Sequence, residues 1–276
     1  MSAEMNSLFE QINNIPQVPE VVRDLIIQLN DPNLDMYAIA KNVTRDQIIS
    51  MKVLRLVNSA HFSLPRKLSS IEEAVVTLGM KQLKSIIIAS GMVQSMPEIK
   101  GFDIKNFWSD SFRTATYAKW IADEINANSD MAFTVGLISE MGIVLMYMGL
   151  PEAIAKIDKA VKNGQVRAQM EKEVLGYTNS EVCAELCRRW KFPEDLANTV
   201  SQCKDPLSFE EVTPEACIVN IAQYLSTSRR DDLSIEEMMT SFPLDVLAKL
   251  GLDQNQLTEK LPILLDASSG LESLAA

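Results

Sequence analysis

Apolar residues recur at helical spacing along almost the whole chain, and no stretch alternates at period two with strand-forming residues. Pro19 to Asn30 predicts an amphipathic helix, with Pro19 in its first turn and Asp31-Pro32 ending it. A short helix is expected over 35–42. Thr44-Arg-Asp-Gln47 has the spacing of a capping box, which predicts a helix start there and a run to Asn58. Ser70-Ile-Glu-Glu73 and Ser234-Ile-Glu-Glu237 repeat that pattern, the first opening a helix that stops at Gly79. Another helix follows over 81–95. Met96-Pro97 and Gly101 then break the pattern and predict a hinge. Beyond it the periodicity predicts helices over 104–126, 151–164, 165–175 and 181–190, with 176–180 a turn. A short helix after Phe192-Pro193, a connection over 205–214, and helices over 215–228 and 253–267 complete the chain.

At the centre of this series Ala132 to Leu150 is apolar on nearly every side and is interrupted by Ser139 and Glu140. It reads as a helix enclosed by other helices, with Gly136 and Gly142 admitting close neighbours. The length would suit a membrane span, but a carboxylate at the midpoint is costly in lipid and no basic cluster flanks the segment. Burial in a globular protein is the expectation. Glu140 must then meet a partner, face a cleft or take up a proton.

Composition narrows the classes of function. The 276 residues are 47% hydrophobic, enough for a sizeable core, and 26 basic residues against 37 acidic ones leave a net charge of -11. That balance opposes binding to nucleic acid or an anionic membrane, and neither is expected as a partner. No signal peptide or basic-flanked span accompanies Cys183, Cys187, Cys203 and Cys217, so reduced thiols and a cytoplasmic location are expected. Cys183 and Cys187 could share a helix face and hold a metal. No CxxC or histidine pair completes a zinc set, and buried apolar thiols are the preferred reading. Only one histidine, His61, is present, which weighs against histidine-rich metal sites and most histidine-dependent proton transfer. No Ser-His-Asp set, P-loop or dinucleotide-binding glycine pattern can be assembled.

The opening IPQVPEVV, the phrase VLRLVNSAHFSLP and the capped SSIEEAVVTLGMKQLKSIIIAS resemble the N-terminal half of bacterial HDOD domains. The likeness runs in order over about residues 12–206 and fades over the tail. That family comprises non-catalytic relatives of the HD phosphohydrolases and takes part in signal transduction. The resemblance implies an all-α, two-lobed multi-helical bundle whose second lobe is HD-like. The expected division is an N-terminal helical lobe over 1–98, an HD-like lobe over 99–206, and a C-terminal extension over 207–276 packed on the HD-like lobe.

HD phosphohydrolases hold divalent metals with histidines and aspartates. By the resemblance, Asp110 in Phe107-Trp-Ser-Asp-Ser111 stands at their first histidine, and Ser139-Glu140 before Met141-Gly142 stands at their His-Asp pair. Gln223 corresponds to their later aspartate, and Asn179 stands where many relatives carry a further histidine. Every expected imidazole is replaced. Asp110 and Glu140 could hold Mg2+ with waters, but two carboxylates with weak ligands at Ser139 and Gln223 make a thin shell. A degenerate polar pocket is preferred, in which Asp110 pairs with Arg113 along their helix and Glu140 accepts local hydrogen bonds. No metal or other cofactor is therefore expected. Trp108, Trp120 and Trp190 fall on predicted helices, where such rings usually fill core or inter-lobe gaps, and Trp108, beside Asp110, is the best candidate to border the pocket instead. In the family-motif loop, His61 is expected to pack flat under the loop, and Asn58 and Ser59 to tie down its backbone.

Three functions follow from these residues. The leading one is a regulatory protein of HDOD type that binds a protein partner or small ligand. The alternatives are a divergent metal-dependent phosphohydrolase using Asp110 and Glu140, and a nucleotide or second-messenger sensor, for which Arg113 is the clearest basic residue. No receiver or kinase pattern accompanies the domain, so the signal is expected from a separate signalling protein. A homo-oligomer is compatible with the sequence.

Overall fold

The structure, a computed structural model, describes residues 3–12, 14–28 and 36–274. These residues form seventeen α-helices: α1 (Ala3–Gln11), α2 (Glu20–Ile27), α3 (Met36–Arg45), α4 (Gln47–Val57), α5 (Ile71–Leu78), α6 (Met80–Ser95), α7 (Ile104–Glu124), α8 (Ser129–Ile138), α9 (Met141–Gly149), α10 (Pro151–Lys162), α11 (Arg167–Leu175), α12 (Asn179–Arg189), α13 (Glu194–Gln202), α14 (Pro214–Arg230), α15 (Ile235–Thr240), α16 (Leu244–Lys249) and α17 (Gln254–Leu265). Short 3-10 turns at Ala60–Phe62 and Leu271–Leu274 matter below. No strand occurs among the described residues, so the all-α class stands. The stop at Asp31-Pro32 and the helix start expected at 35 lie outside them.

Helix boundaries follow local hydrogen bonding. Ser234 and Glu237 form the expected capping box at the start of α15. Thr44 does not cap α4, which corrects the sequence reading. It lies inside α3 with its hydroxyl donating to the Ala40 carbonyl, and Asp46 caps α4 by accepting the amide hydrogens of Ile48 and Ile49. A carboxylate at the last turn-forming position outcompetes a hydroxyl two residues earlier. Ser70 caps α5 through the Glu73 amide, but the Glu73 carboxylate takes the Ser69 amide instead of closing the box on Ser70. A box the sequence reading passed over, Thr178 with Glu181, opens α12.

The central apolar run is two helices. α8 and α9 break at Ser139-Glu140, where Glu140 adopts φ -100 and ψ 5. The run from Ser129 to Gly149 has the length and apolarity of a membrane span, yet most of it is buried inside the fold. α7 and α14 cover α8, and α12 covers α9. Two glycines permit this closeness: a Cβ at Gly136 would lie 3.0 Å from Ala115 Cα, and one at Gly142 only 2.2 Å from the Asn179 carbonyl oxygen.

α2 to α6 pack among themselves, and α7 to α14 form a second group. The apolar side chains of both join in one contiguous core from Met5 to Leu274. Between the groups, Lys84 on α6 meets Asp130 on α8 at 3.1 Å, both side chains nearly buried. The Trp190 indole donates to the Pro16 carbonyl at 2.7 Å, tying the N-terminal segment to α12.

The segment 207–276, expected as an extension packed on the HD-like lobe, touches both groups. α14 is one of the second group's central helices. The last turn, Leu271–Leu274, instead sits against α4, α6 and α7, with Leu271 1% exposed. Arg55 on α4 donates to the Ser273 carbonyl at 3.1 Å, and the Gly270 backbone lies over the His61 ring. The tail is thus a strap across both groups.

Candidate functional site

A cavity of about 340 Å3 opens where α7, the α8–α9 break, α11 and α14 converge. α7 presents Asp110 and Thr114 one turn apart, the break presents Glu140, and α11 begins with Arg167. α14 presents Gln223, Ser226, Thr227 and Arg230, the spacing of one helix face. Lys204, just beyond α13, closes the rim.

Four of the positions singled out in the sequence meet around Ser139. Gln223 Nε2 donates to Ser139 Oγ at 2.8 Å, and Asn179 Nδ2 donates to Glu140 Oε2 at 2.8 Å. Glu140 Oε1 pairs with Lys204. Asp110 Oδ1 pairs with Arg113, as expected along the helix, and Asp110 Oδ2 takes Arg230 at 2.9 Å. Arg113 Nε also donates to Ser226 Oγ at 3.1 Å, and that hydroxyl donates onward to the Asp110 carbonyl at 3.2 Å. All four carboxylate oxygens of Asp110 and Glu140 therefore have a donor from the protein.

Below this layer Glu171, 1% exposed, accepts the Asn179 amide hydrogen at 2.8 Å. Its burial pushes the carboxyl above the ordinary range, against the pull of that amide and of Arg167, 3.7 Å away. Arg167 also pairs with Asp158, which accepts the Tyr147 hydroxyl proton, and burial with that bond raises the phenol to about 12. Glu171 Oε1 and Asn179 Oδ1 are buried acceptors with no hydrogen-bond donor, although Oε1 lies in the ion pair with Arg167.

The arrangement does not suit the divalent metals of HD phosphohydrolases. Such an ion needs several free, converging oxygen or nitrogen donors. Here a cation would have to displace Lys204 from Glu140 and both Arg113 and Arg230 from Asp110, with an amide and a hydroxyl as its remaining neighbours. Among the described residues no group of three His, Cys, Asp or Glu is placed to hold a metal. The four cysteines are buried and free, and Cys183 donates to the Ile138 carbonyl at 3.0 Å.

Trp108 does not border the cavity. It is 2% exposed, stacked on Phe112 at 5.6 Å and edge-on to Phe107 at 5.1 Å, because its position on α7 turns the ring into the core. Asn58, Ser59 and His61 lie away from the cavity lining. Asn58 ties its loop as expected, donating to the Leu68 carbonyl at 2.8 Å and accepting its amide hydrogen at 2.7 Å. Ser59 does not share that role, since its buried hydroxyl has no partner. His61 is exposed, edge-on to Phe62 at 4.9 Å and covered on one side by the tail at Gly270, so it packs outward against the strap and not under its loop.

Sequence reasoning missed Arg230, Lys204, Arg167 and Glu171. Arg230 was within reach, being seven residues after Gln223 on one helix face. Lys204 follows a helix end where no periodicity points anywhere.

The model of the HDOD domain family matches residues 15–206. A solved structure from Shewanella amazonensis SB2B, described provisionally as a phosphohydrolase, is 30% identical and superposes with a TM-score of 0.80 over 98% of each chain. An HDOD domain protein of unknown function from Geobacter sulfurreducens has the same fold, with a TM-score of 0.82 at 21% identity over 98% of this chain and 97% of that one. An uncharacterized protein of Treponema pallidum (strain Nichols) is 24% identical over 200 residues, 70% of this chain and 38% of the relative's own length.

Proposed function

The chain belongs to the HDOD domain family, and from that premise we propose that it is a regulatory protein that acts by binding, without hydrolysis at the cavity beside Glu140. One observation carries this reading: protein cations and an amide occupy every oxygen that a catalytic metal would need. Lys204, Arg113 and Arg230 supply the positive charge there, so the carboxylates of Asp110 and Glu140 are balanced by side chains of the protein itself. The partner is a signalling protein, engaged through the helical surface, and the cytoplasm is the expected compartment.

The rival is a divergent metal-dependent phosphohydrolase using Asp110 and Glu140, and the 30% identical Shewanella amazonensis structure carries the name of a phosphohydrolase. Purified protein prepared without chelators is assayed for metal content and for hydrolysis of bis(p-nitrophenyl) phosphate with Mn2+ or Mg2+. Binding without hydrolysis predicts no stoichiometric metal and no turnover above buffer. Metal-dependent turnover that Glu140→Ala abolishes in a folded chain would overturn it.

Small-ligand sensing at the same cavity has support of its own. Arg167, Lys204 and Arg230 all line the space, more positive charge than Arg113 alone supplies, and Asn179 Oδ1 offers an acceptor without a hydrogen bond beneath it. An anionic ligand would have to compete with the internal carboxylates for those cations. A thermal-shift series with linear and cyclic nucleotides reads this directly: a saturable rise in melting temperature supports sensing, and a flat response removes it.

A further inference from the structure

A larger cavity, about 520 Å3, lies elsewhere, where α6, α7 and α8 meet the C-terminal strap. Its walls are mainly apolar, from Leu78, Ile86, Phe133 and Leu271, and the volume falls in the range of small-molecule sites. Gly79, at the α5–α6 junction, has nothing within 4 Å of where a Cβ would stand.

The polar feature of this space is Lys119. Its Nζ donates to Ser85 Oγ at 2.8 Å and to the Lys81 carbonyl at 3.2 Å, and it stands 5.6 Å above the Phe133 ring. An ammonium carries three N–H donors, so one is left for a guest. Among the described residues no carboxylate lies within 4 Å of this nitrogen. Lys84 takes Asp130 at 3.1 Å, and Lys81, at the mouth, holds Asp123 at 3.7 Å. Three ammonium groups therefore face two carboxylates, a local excess of positive charge in a chain whose net charge is -11. Burial also pushes Lys119 below the ordinary lysine value, with Asp123 and Asp130 opposing that shift and Lys81 and Lys84 adding to it.

We propose that this cavity binds a small organic anion with an apolar body, its acid group on Lys119 and its body against Ile86, Phe133 and Leu271. The residual N–H selects the charge, and the apolar walls reward a ring or short chain over an inorganic ion. An occupant would touch three helices and the strap at once.

The test uses an isosteric pair, 2-naphthoate and 2-naphthamide, titrated into the full chain by ligand-observed NMR. Naphthoate should bind saturably and about tenfold more tightly than the uncharged amide, a preference the acidic chain as a whole would oppose. Lys119→Met keeps most of the side-chain bulk and should erase the preference. Gln82→Trp, at the exposed mouth, should weaken both compounds, and it guards against misfolding of the first variant. Lys156→Met, on the surface of α10, should change nothing. No binding of naphthoate, equal binding of the two compounds, or wild-type affinity in both Lys119→Met and Gln82→Trp would overturn the proposal.

Discussion

Asn58 holds its loop by imitating a backbone strand partner, giving and taking one hydrogen bond with Leu68. Replacing it with alanine leaves a buried amide and carbonyl without partners, so Asn58→Ala should cost about 2 kcal/mol in urea unfolding. Glu171 makes a different prediction. Its folded pKa stands above the ordinary 4.5, so its contribution to stability is complete below that value and is lost as pH rises through the folded one. Compared with Glu171→Gln, the native chain should fare better at about pH 4 than at about pH 8, with urea midpoints as the measure. Single residues were unevenly legible in the sequence. The Asp110–Arg113 pair follows from helical spacing alone, whereas Lys204 reaches Glu140 only because tertiary packing brings the end of α13 to the α8–α9 break.

Elements were more legible than residues, because periodicity marks the helices and eight of their starts carry a side-chain cap. The exceptions are informative. Thr44 and Thr178 each stand three residues before a glutamine or glutamate, yet only Thr178 caps, since Asp46 offers a stronger acceptor to the start of α4. Thr178→Ala should therefore cost about 1 kcal/mol, while Thr44→Ala should stay within about 0.5 kcal/mol. Paired thermal melts with denaturant titrations decide between them. The sequence predicts one helix over 132–150, and the two polar residues that interrupt its apolar run prove to be the break between α8 and α9. That the break turns Glu140 toward Lys204 and Asn179 was not visible, because a polar interruption does not reveal which way the chain bends.

For the molecule as a whole, the all-α class and the order of helices could be read from periodicity, and the family from three phrases in the first hundred residues. The path of the tail could not. Its last turn is four residues long and carries no helical stripe, so nothing local says that Leu271 is a core residue. Leu271→Ala should cost about 2–5 kcal/mol, the penalty of a core truncation, although the residue lies only five residues before Ala276. Near-UV and far-UV dichroism should report one shared transition, because the apolar core is continuous.

The two ends of the chain are laced in opposite directions. α1 leaves its sequence neighbours to pack on α9, where Leu8 abuts Gly149, and the final turn crosses back to α4 and α6. A protease cut at 97–102 would accordingly nick the backbone without releasing fragments, and the nicked protein should elute as one particle. Pieces 1–98 and 99–276 made separately should each be insoluble or unstructured, and should recover native dichroism only when they are mixed during refolding.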